Sequence, residues 1–194
     1  AGMLSKKILT GTMAYKEYLV NEFKISPKKV QVTPLGVDDN LFFPKPKSET
    51  NTDRFVIMYH GSYIPNHGVE TIIKAAANLS RYPGLTFRLI GDGEGKSHAM
   101  QLADKLGVEN IEFLSKVPFE QLSDCIANSD IVLGAFGDTS QARKAMANKI
   151  LEGLAMQKPV VTGNTMSIRE NFKHMEHLWL VPLADDRTLA EALV

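Results

Sequence analysis

Arg54-Phe55-Val56-Ile57-Met58-Tyr59-His60-Gly61-Ser62-Tyr63-Ile64-Pro65-Asn66-His67-Gly68-Val69, continued through Ile72, Ile73, Ala76 and Leu79 to Phe87-Arg88-Leu89-Ile90-Gly91-Asp92-Gly93, decides the fold. Phe55 to Tyr59 is an apolar run suited to a strand buried on both faces. Val69, Ile72, Ile73, Ala76 and Leu79 fall on one face of a helix, with Asn66 as its expected N-cap. Phe87 to Ile90 is a second short apolar run that closes on glycine. A strand, a helix and a strand in so few residues make a right-handed βαβ unit with parallel strands.

The same alternation continues outward. A helix over Ser97–Leu106 is predicted to stop at Gly107, and Ile111 to Leu114 form a strand. Pro118 opens a helix through Leu122, Cys125 and Ile126; Ile131 to Gly134 follow as a strand. Ile150, Leu151 and Leu154 mark a helix, Pro159 to Thr162 and Leu178 to Val181 two strands, and Leu189 to Val194 the start of a last helix. The expected fold is α/β, a Rossmann-like doubly wound parallel sheet with helices on both faces. Residues 1 to about 53 differ in character. They hold a short apolar piece at Ile8-Leu9, a helical pattern over Tyr15–Val20 and an extended Val30–Thr33. The aperiodic, Pro-rich Leu41–Thr50 then reads as a linker. The division expected is therefore 1–53 and 54–194.

With 44% hydrophobic and 23% charged residues, the chain's composition is that of an ordinary globular protein. Its formal net charge of zero gives no general attraction for nucleic acid or an anionic membrane. The single Cys125 cannot make an internal disulfide. The sequence has no apolar run of about 18 residues and no signal-peptide pattern, so the expectation is a cytosolic chain. Ala1-Gly2 before Met3 reads equally as a cloning remnant or as the interior of a longer protein.

Open parallel sheets bind ligands beyond the carboxyl ends of their strands. Those positions are His60-Gly61-Ser62, Gly91-Asp92-Gly93, Ala135-Phe136-Gly137-Asp138 and Gly163-Asn164-Thr165. Glycine there lets a ligand approach the backbone N–H groups. Two motifs that Gly91–Ser97 brings to mind both fail. A Walker A loop needs glycine where Ile90 stands, and a dinucleotide fingerprint needs it where Lys96 stands. The strongest constellation is Ala147-Asn148-Lys149-Ile150-Leu151-Glu152. Asn148 would cap a helix whose N-terminal N–H groups and dipole suit a diphosphate. Glu152, one turn on, could accept hydrogen bonds from two vicinal hydroxyls; by spacing alone an exposed carboxylate is the simpler reading. His67 and Lys149 are candidate cations or ordinary solvent-facing charges. His174 and His177 lack a third metal ligand, and no nucleophile–base arrangement is readable.

Three segments resemble the large retaining glycosyltransferase family of GT-B fold often called family 4. They are Val32–Asp38 with Phe42–Pro44, similar to the family's hinge; Met58–Glu70, similar to its phosphate turn; and Asn148–Val161, similar to its donor-binding helix. Leu89–Gly93 and Asn110–Leu114 fit in order between them. The resemblance implies that the chain is a C-terminal, donor-binding domain taking a nucleoside-diphosphate sugar, with a UDP-sugar the expected donor. It implies that Glu152 holds the ribose hydroxyls and that Gly61, Ser62, Ala147 and Asn148 meet the diphosphate. Gly91, Asp92, Gly93 and the vicinity of Lys116-Val117 would frame the base. No metal or other cofactor is implied. The acceptor, a saccharide or a lipid-linked one, would be held by an N-terminal domain of which residues 1 to about 33 resemble the last helix and strand. Peripheral membrane association of the whole protein would suit a lipid-linked acceptor. The expected role of the whole protein is hexosyl transfer in glycan biosynthesis, with this chain alone inactive.

The chain departs from the family's pattern at three places. Lys144 stands where a glutamate would partner Glu152, Ser62 where the phosphate turn has arginine, and His67 where it has lysine. Lys144 and Lys149 are candidates to restore the missing positive charge, with loss of donor affinity in Lys149→Ala as the expected sign. Two other readings stay open: an epimerase-like GT-B enzyme, against which the hinge argues, and a degenerate, non-catalytic interaction module.

Overall fold

The computed structural model describes residues 5–48 and 54–194. Among the described residues eight strands run in the order β1 (Ile8–Thr10), β2 (Val30–Val32), β3 (Phe55–His60), β4 (Leu85–Ile90), β5 (Ile111–Leu114), β6 (Ile131–Leu133), β7 (Val160–Gly163) and β8 (Trp179–Val181). Seven α-helices accompany them: α1 (Met13–Phe23), α2 (Val69–Asn78), α3 (Lys96–Leu106), α4 (Phe119–Ala127), α5 (Asn148–Ala155), α6 (Met166–Arg169) and α7 (Asp186–Glu191).

Strands β3 to β8 form one parallel sheet in the order β5-β4-β3-β6-β7-β8. That is the doubly wound arrangement in which the chain first builds outward on one side of β3 and then on the other. Period-two alternation distributes the strands' side chains to two cores. Ile57, Tyr59, Phe87, Leu89, Leu133, Val161 and Val181 face one, which holds Ile72 and Ile73 of α2, Ala99 of α3 and Leu189 of α7. Met58, Ile90, Val132, Val160 and Leu180 face the other, with Ile126 of α4, Ile150 of α5 and Ile168 of α6. Burying each Ile, Leu or Phe contributes about 1.5–3 kcal/mol, so both faces are covered by strong apolar layers.

The smaller unit is a parallel pair, β1 with β2, joined by α1. It is fastened to the large sheet's loops by polar contacts. Thr12 Oγ1 accepts from the Tyr15 amide, capping α1, and donates to the Lys144 carbonyl at 2.6 Å. Glu170 at the end of α6 accepts from the amides of Met13 and Ala14 at 2.7 and 2.8 Å.

Three expectations need correction. Leu41–Ser48 contains no helix or strand but is not a free linker. Phe42 is buried in the second core, edge-on to Phe119, because an aromatic ring gains more there than in water. Lys45 then pairs with Asp124 and Lys47 with Asp130. The remainder of that stretch, and the expected boundary after residue 53, lie outside the described residues, as do Ala1-Gly2. Asn66 does not cap α2: the chain makes a 3-10 turn at Pro65–His67 and enters α2 through Gly68 in the left-handed region, while Asn66 accepts from the Thr139 hydroxyl. The last helix begins earlier than predicted, at Asp186, since Asp185 caps it by accepting from the Thr188 amide.

Candidate functional site

The chain's reversal from one side of β3 to the other opens a crevice at the carboxyl ends of β3, β4 and β6. β3 and β4 end in touching backbone: the Gly61 amide donates to the Ile90 carbonyl at 2.9 Å. A Cβ on Gly91 would lie 2.0 Å from the Gly61 carbonyl, and both residues have positive φ, +150° and +139°. Only glycine serves at such a junction. Lys96 fastens the following loop by donating to the carbonyls of Gly91 and Leu114 and to Asp92. The Lys116 amide donates to the other Asp92 oxygen, and this bond, with the Lys96 contact, holds the carboxyl below its ordinary range. The residue that rules out the dinucleotide fingerprint thus has a clear structural use.

Beside this junction lies a pocket of about 270 Å³ lined by His60, Gly61, Ser62, Gly91, Asp92 and Val117, among others. The sequence-predicted Gly61, Ser62, Gly91, Asp92 and Val117 therefore come together. Gly93 is not among those lining residues, and a Cβ on it would lie 2.9 Å from the Tyr63 amide nitrogen.

Helix α5 faces the end of β3. Asn148 is its exposed first residue rather than its cap; Ala147 takes that position and no side chain caps the helix. The Ile150 amide donates to the Ala147 carbonyl at 3.1 Å; uncapped first-turn amides are what an anion site requires. Lys149 and Glu152 are not solvent-facing charges: they are 5% and 8% exposed. The buried apolar stripe explains this. Ile150 fills the core, and the residues beside it on the helix are carried under the β3 turn.

What surrounds these two groups is unusual. Four buried side-chain polar atoms among the described residues lack a hydrogen-bond partner, and three of them meet here: His60 Nε2, Lys149 Nζ and Glu152 Oε2. His60 Nε2 lies 3.3 Å from Glu152 Oε2 without the alignment of a hydrogen bond. Burial, and secondarily the Lys149 charge, push the His60 pKa down to about 3, so the imidazole is neutral at physiological pH. Lys149 Nζ lies 4.5 Å from the centre of the Tyr59 ring. Burial lowers its pKa to about 7 against the pull of Glu152, while burial raises that of Glu152. Native proteins rarely leave such groups unpaired, since each costs roughly 1–3 kcal/mol and charged ones more. Their concentration at one strand end marks a place prepared for a ligand.

His67 completes the wall. Its Nδ1 is 2.7 Å from the Ser62 carbonyl and 2.9 Å from the Tyr59 hydroxyl, which itself donates to Ser62. Burial and Lys149 lower its pKa to about 4. It is a neutral brace of the turn. Lys144 is not brought into the cluster: its ammonium lies 4.3 Å from the centre of the Tyr18 ring in α1 and bonds Ser140. His174 and His177 accept from the amides of Leu180 and Lys173. Among the described residues no group of three or more His, Cys, Asp or Glu could hold a metal ion, and no helix is long and apolar enough to cross a membrane.

A family model described as glycosyl transferases group 1 matches residues 54–194. The chain belongs to this family. Similar curated relatives include the lipopolysaccharide core biosynthesis glycosyltransferase LpsE of Rhizobium meliloti, 28% identical over 76% of this chain and 41% of its own length. The MMP α-(1→4)-mannosyltransferase of Mycolicibacterium hassiacum is 26% identical over 64% and 30%. This glycosyltransferase domain with its preceding residues thus spans well under half the length of such relatives. Among solved structures, Anabaena Alr3699/HepE, crystallised with UDP and glucose, superposes with a TM-score of 0.83 at 21% identity over 100% of this chain and 54% of that one. The C-terminal domain of the group 1 glycosyl transferase LpcC from Francisella tularensis gives 0.69 at 20% identity over 81% and 86%. These likenesses establish the GT-B-like α/β fold.

The sequence places His60 at a strand end facing the site but gives it no role, and it gives Tyr59 none either. Both sit inside an apolar strand run, where a terminal histidine reads as strand. The usable signal was the polar residue at the carboxyl end of the first strand of the large sheet.

Proposed function

We propose that residues 54–194 bind the nucleoside-diphosphate sugar of a retaining hexosyltransferase in glycan biosynthesis, with a UDP-sugar as donor. The observation that carries this is a complementary pair of orphaned, buried atoms on one face of α5. Glu152 Oε2 is an acceptor without a donor, and Lys149 Nζ a donor without an acceptor. A ligand offering vicinal hydroxyls beside anionic oxygens satisfies both at once. In this reading Glu152 holds the ribose, and Lys149 with the open amides of α5 and the Gly61-Ser62 turn holds the diphosphate. The base fills the pocket beside Gly91, Asp92 and Val117. The binding of UDP by the Anabaena neighbour supports the choice of base.

Residues 5–48 read as the end of an acceptor-binding domain, completing the protein from its N-terminal side. The likeness to a separately folded C-terminal glycosyl transferase domain supports that division. A saccharide or lipid-linked acceptor would be bound there, so this chain by itself binds donor and transfers nothing. Leaving-group charge would be stabilised by the Lys149 side chain and helix amides rather than by a metal.

Thermal denaturation with UDP, GDP, ADP and their glucose conjugates tests the reading. A ligand that binds only the folded state raises the midpoint by mass action, by about 2.7 kcal/mol of stability at a hundredfold excess over Kd. A shift with uridine nucleotides that Glu152→Gln abolishes is expected. No shift with any nucleotide would exclude a donor site.

A further inference from the structure

We infer that Lys149 is a proton-gated cation: a partly deprotonated amine in the empty site, it takes up the missing proton from solvent when a nucleoside diphosphate binds and holds the diphosphate as an ammonium. The inference rests on the donor-site reading above and adds how the site acquires its charge. The balance is simple: free amine, one solvent proton and the bound diphosphate give an ammonium paired with a phosphate oxygen, with no bond of the ligand broken.

Geometry makes the case. A glycosyltransferase phosphate turn with Ser62 and His67 in it carries no fixed cation of its own, since His67 is braced against the Ser62 carbonyl and is neutral. Lys149 arrives from a different element to the same spot. Its Nζ lies 2.9 Å from where a Cβ on Gly61 would be, so the glycine leaves the amine directly beneath the turn. The groups facing that amine are few. From β3 come the Tyr59 ring at 4.5 Å and the neutral His60; from the following turn comes His67; from its own helix comes Glu152. Tyr59 stays protonated, because burial raises its pKa. None of these makes a hydrogen bond or an ion pair within 4 Å with Nζ. An ammonium with no ion pair within 4 Å and almost no water is a form that burial strongly disfavours. The fall of the Lys149 pKa to about 7 follows from that cage. A diphosphate entering under Gly61 brings the missing counter-charge and reverses the balance. Glu152 pulls the Lys149 pKa upward, but burial outweighs that pull, and burial also raises the Glu152 pKa.

Calorimetric titration of this chain with UDP, GDP and ADP, each in two buffers of different ionisation enthalpy, counts the protons exchanged. At pH 8 an amine of pKa near 7 is about nine-tenths neutral and at pH 6 about one-tenth. Uptake of about 0.9 proton at pH 8 and about 0.1 at pH 6 is therefore expected, relative to Lys149→Met, which subtracts the titration of the phosphates themselves. Affinity should fall about tenfold from pH 8 to pH 9 in the natural chain, and by less than twofold in Lys149→Arg, whose guanidinium stays charged. Binding without excess uptake at pH 8, or uptake that persists in Lys149→Met, overturns the inference and leaves the donor site standing. No heat with any nucleotide overturns both. The lysine ε-methylene NMR signals give an answer that needs no ligand. One lysine titrating near pH 7 and missing from Lys149→Met is the expected result, and a Lys149 signal titrating above pH 9 refutes the gate.

Discussion

Two helix N-termini of this molecule are treated in opposite ways. That of α1 is closed: Thr12 caps it, and Glu170 takes the amides of Met13 and Ala14. That of α5 is left without a side-chain cap, and beneath it Lys149 Nζ and Glu152 Oε2 make no hydrogen bond. The same free N–H groups and the same dipole exist at both. At α1 the chain satisfies them with its own carboxylate, which fastens one part of the protein to another. At α5 it supplies no side-chain cap, and the donor-site reading takes the unsatisfied groups there as ones a ligand would pair.

The largest effect should come from the open end. Glu152→Gln keeps size and shape but replaces an oxygen that can accept from two hydroxyls with a donor amide. Losing charged hydrogen bonds at about 1.5–3 kcal/mol each predicts UDP affinity lower by roughly a hundredfold, read by calorimetry. Unchanged affinity would remove Glu152 from the site.

Lys149→Met should act on the empty protein in the reverse sense. Replacing an unpaired buried charge with a well-packed apolar chain gains on the order of 1–4 kcal/mol, a rise in Tm of roughly 2–16 °C for a domain of this size. The sign with pH follows from the lowered pKa of about 7. Below pH 7 both folded and unfolded states hold the proton, so the natural chain bears the full cost of the buried ammonium. As pH rises from 7 towards the ordinary lysine value of 10.5 only the unfolded state keeps it, and the cost fades. The advantage of the methionine variant should shrink over that window. A gain that is constant from pH 6 to pH 10 would mean that Lys149 is not a depressed amine.

This contrast also explains how much could be read from sequence. The six-strand sheet was legible because strands buried on both faces are continuous apolar runs, and the helices between them carry a clear stripe. The strand ends were legible because Gly61 and Gly91 are required where two backbones touch. Side-chain environment was not. On a helical wheel Lys149 and Glu152 look like solvent-facing charges, and only the course of the β3 turn over α5 shows that they are covered. Asn66 and Asn148 are good capping residues by type, yet each lies one or two positions from the residue that enters the helix. Phe42 sits in a Pro-rich stretch, where its docking into the second core depends on contacts with Phe119, far away in sequence. Lys144 was aligned with a sugar-binding position and turns instead to Tyr18, a contact that exists only because α1 folds back on this loop.

The closed end should respond least to ligand and only moderately to mutation. Glu170→Ala frees two amides of α1 and removes a link to α6, while Thr12→Ala removes the cap and the bond to the Lys144 carbonyl. Each should cost about 1 kcal/mol, since amides at a helix terminus can turn to water when a cap is lost. The loss should be local. Hydrogen exchange at Met13–Lys16 should quicken by about fivefold or more, as a cost of about 1 kcal/mol converts to that factor, with protection in β3, β4 and α2 unchanged. UDP affinity should stay within twofold, because neither residue touches the crevice at β3. If Glu170→Ala instead weakened UDP binding as Glu152→Gln does, the two ends would not be independent. The fastening of α1 would then be part of how the donor site is held in shape.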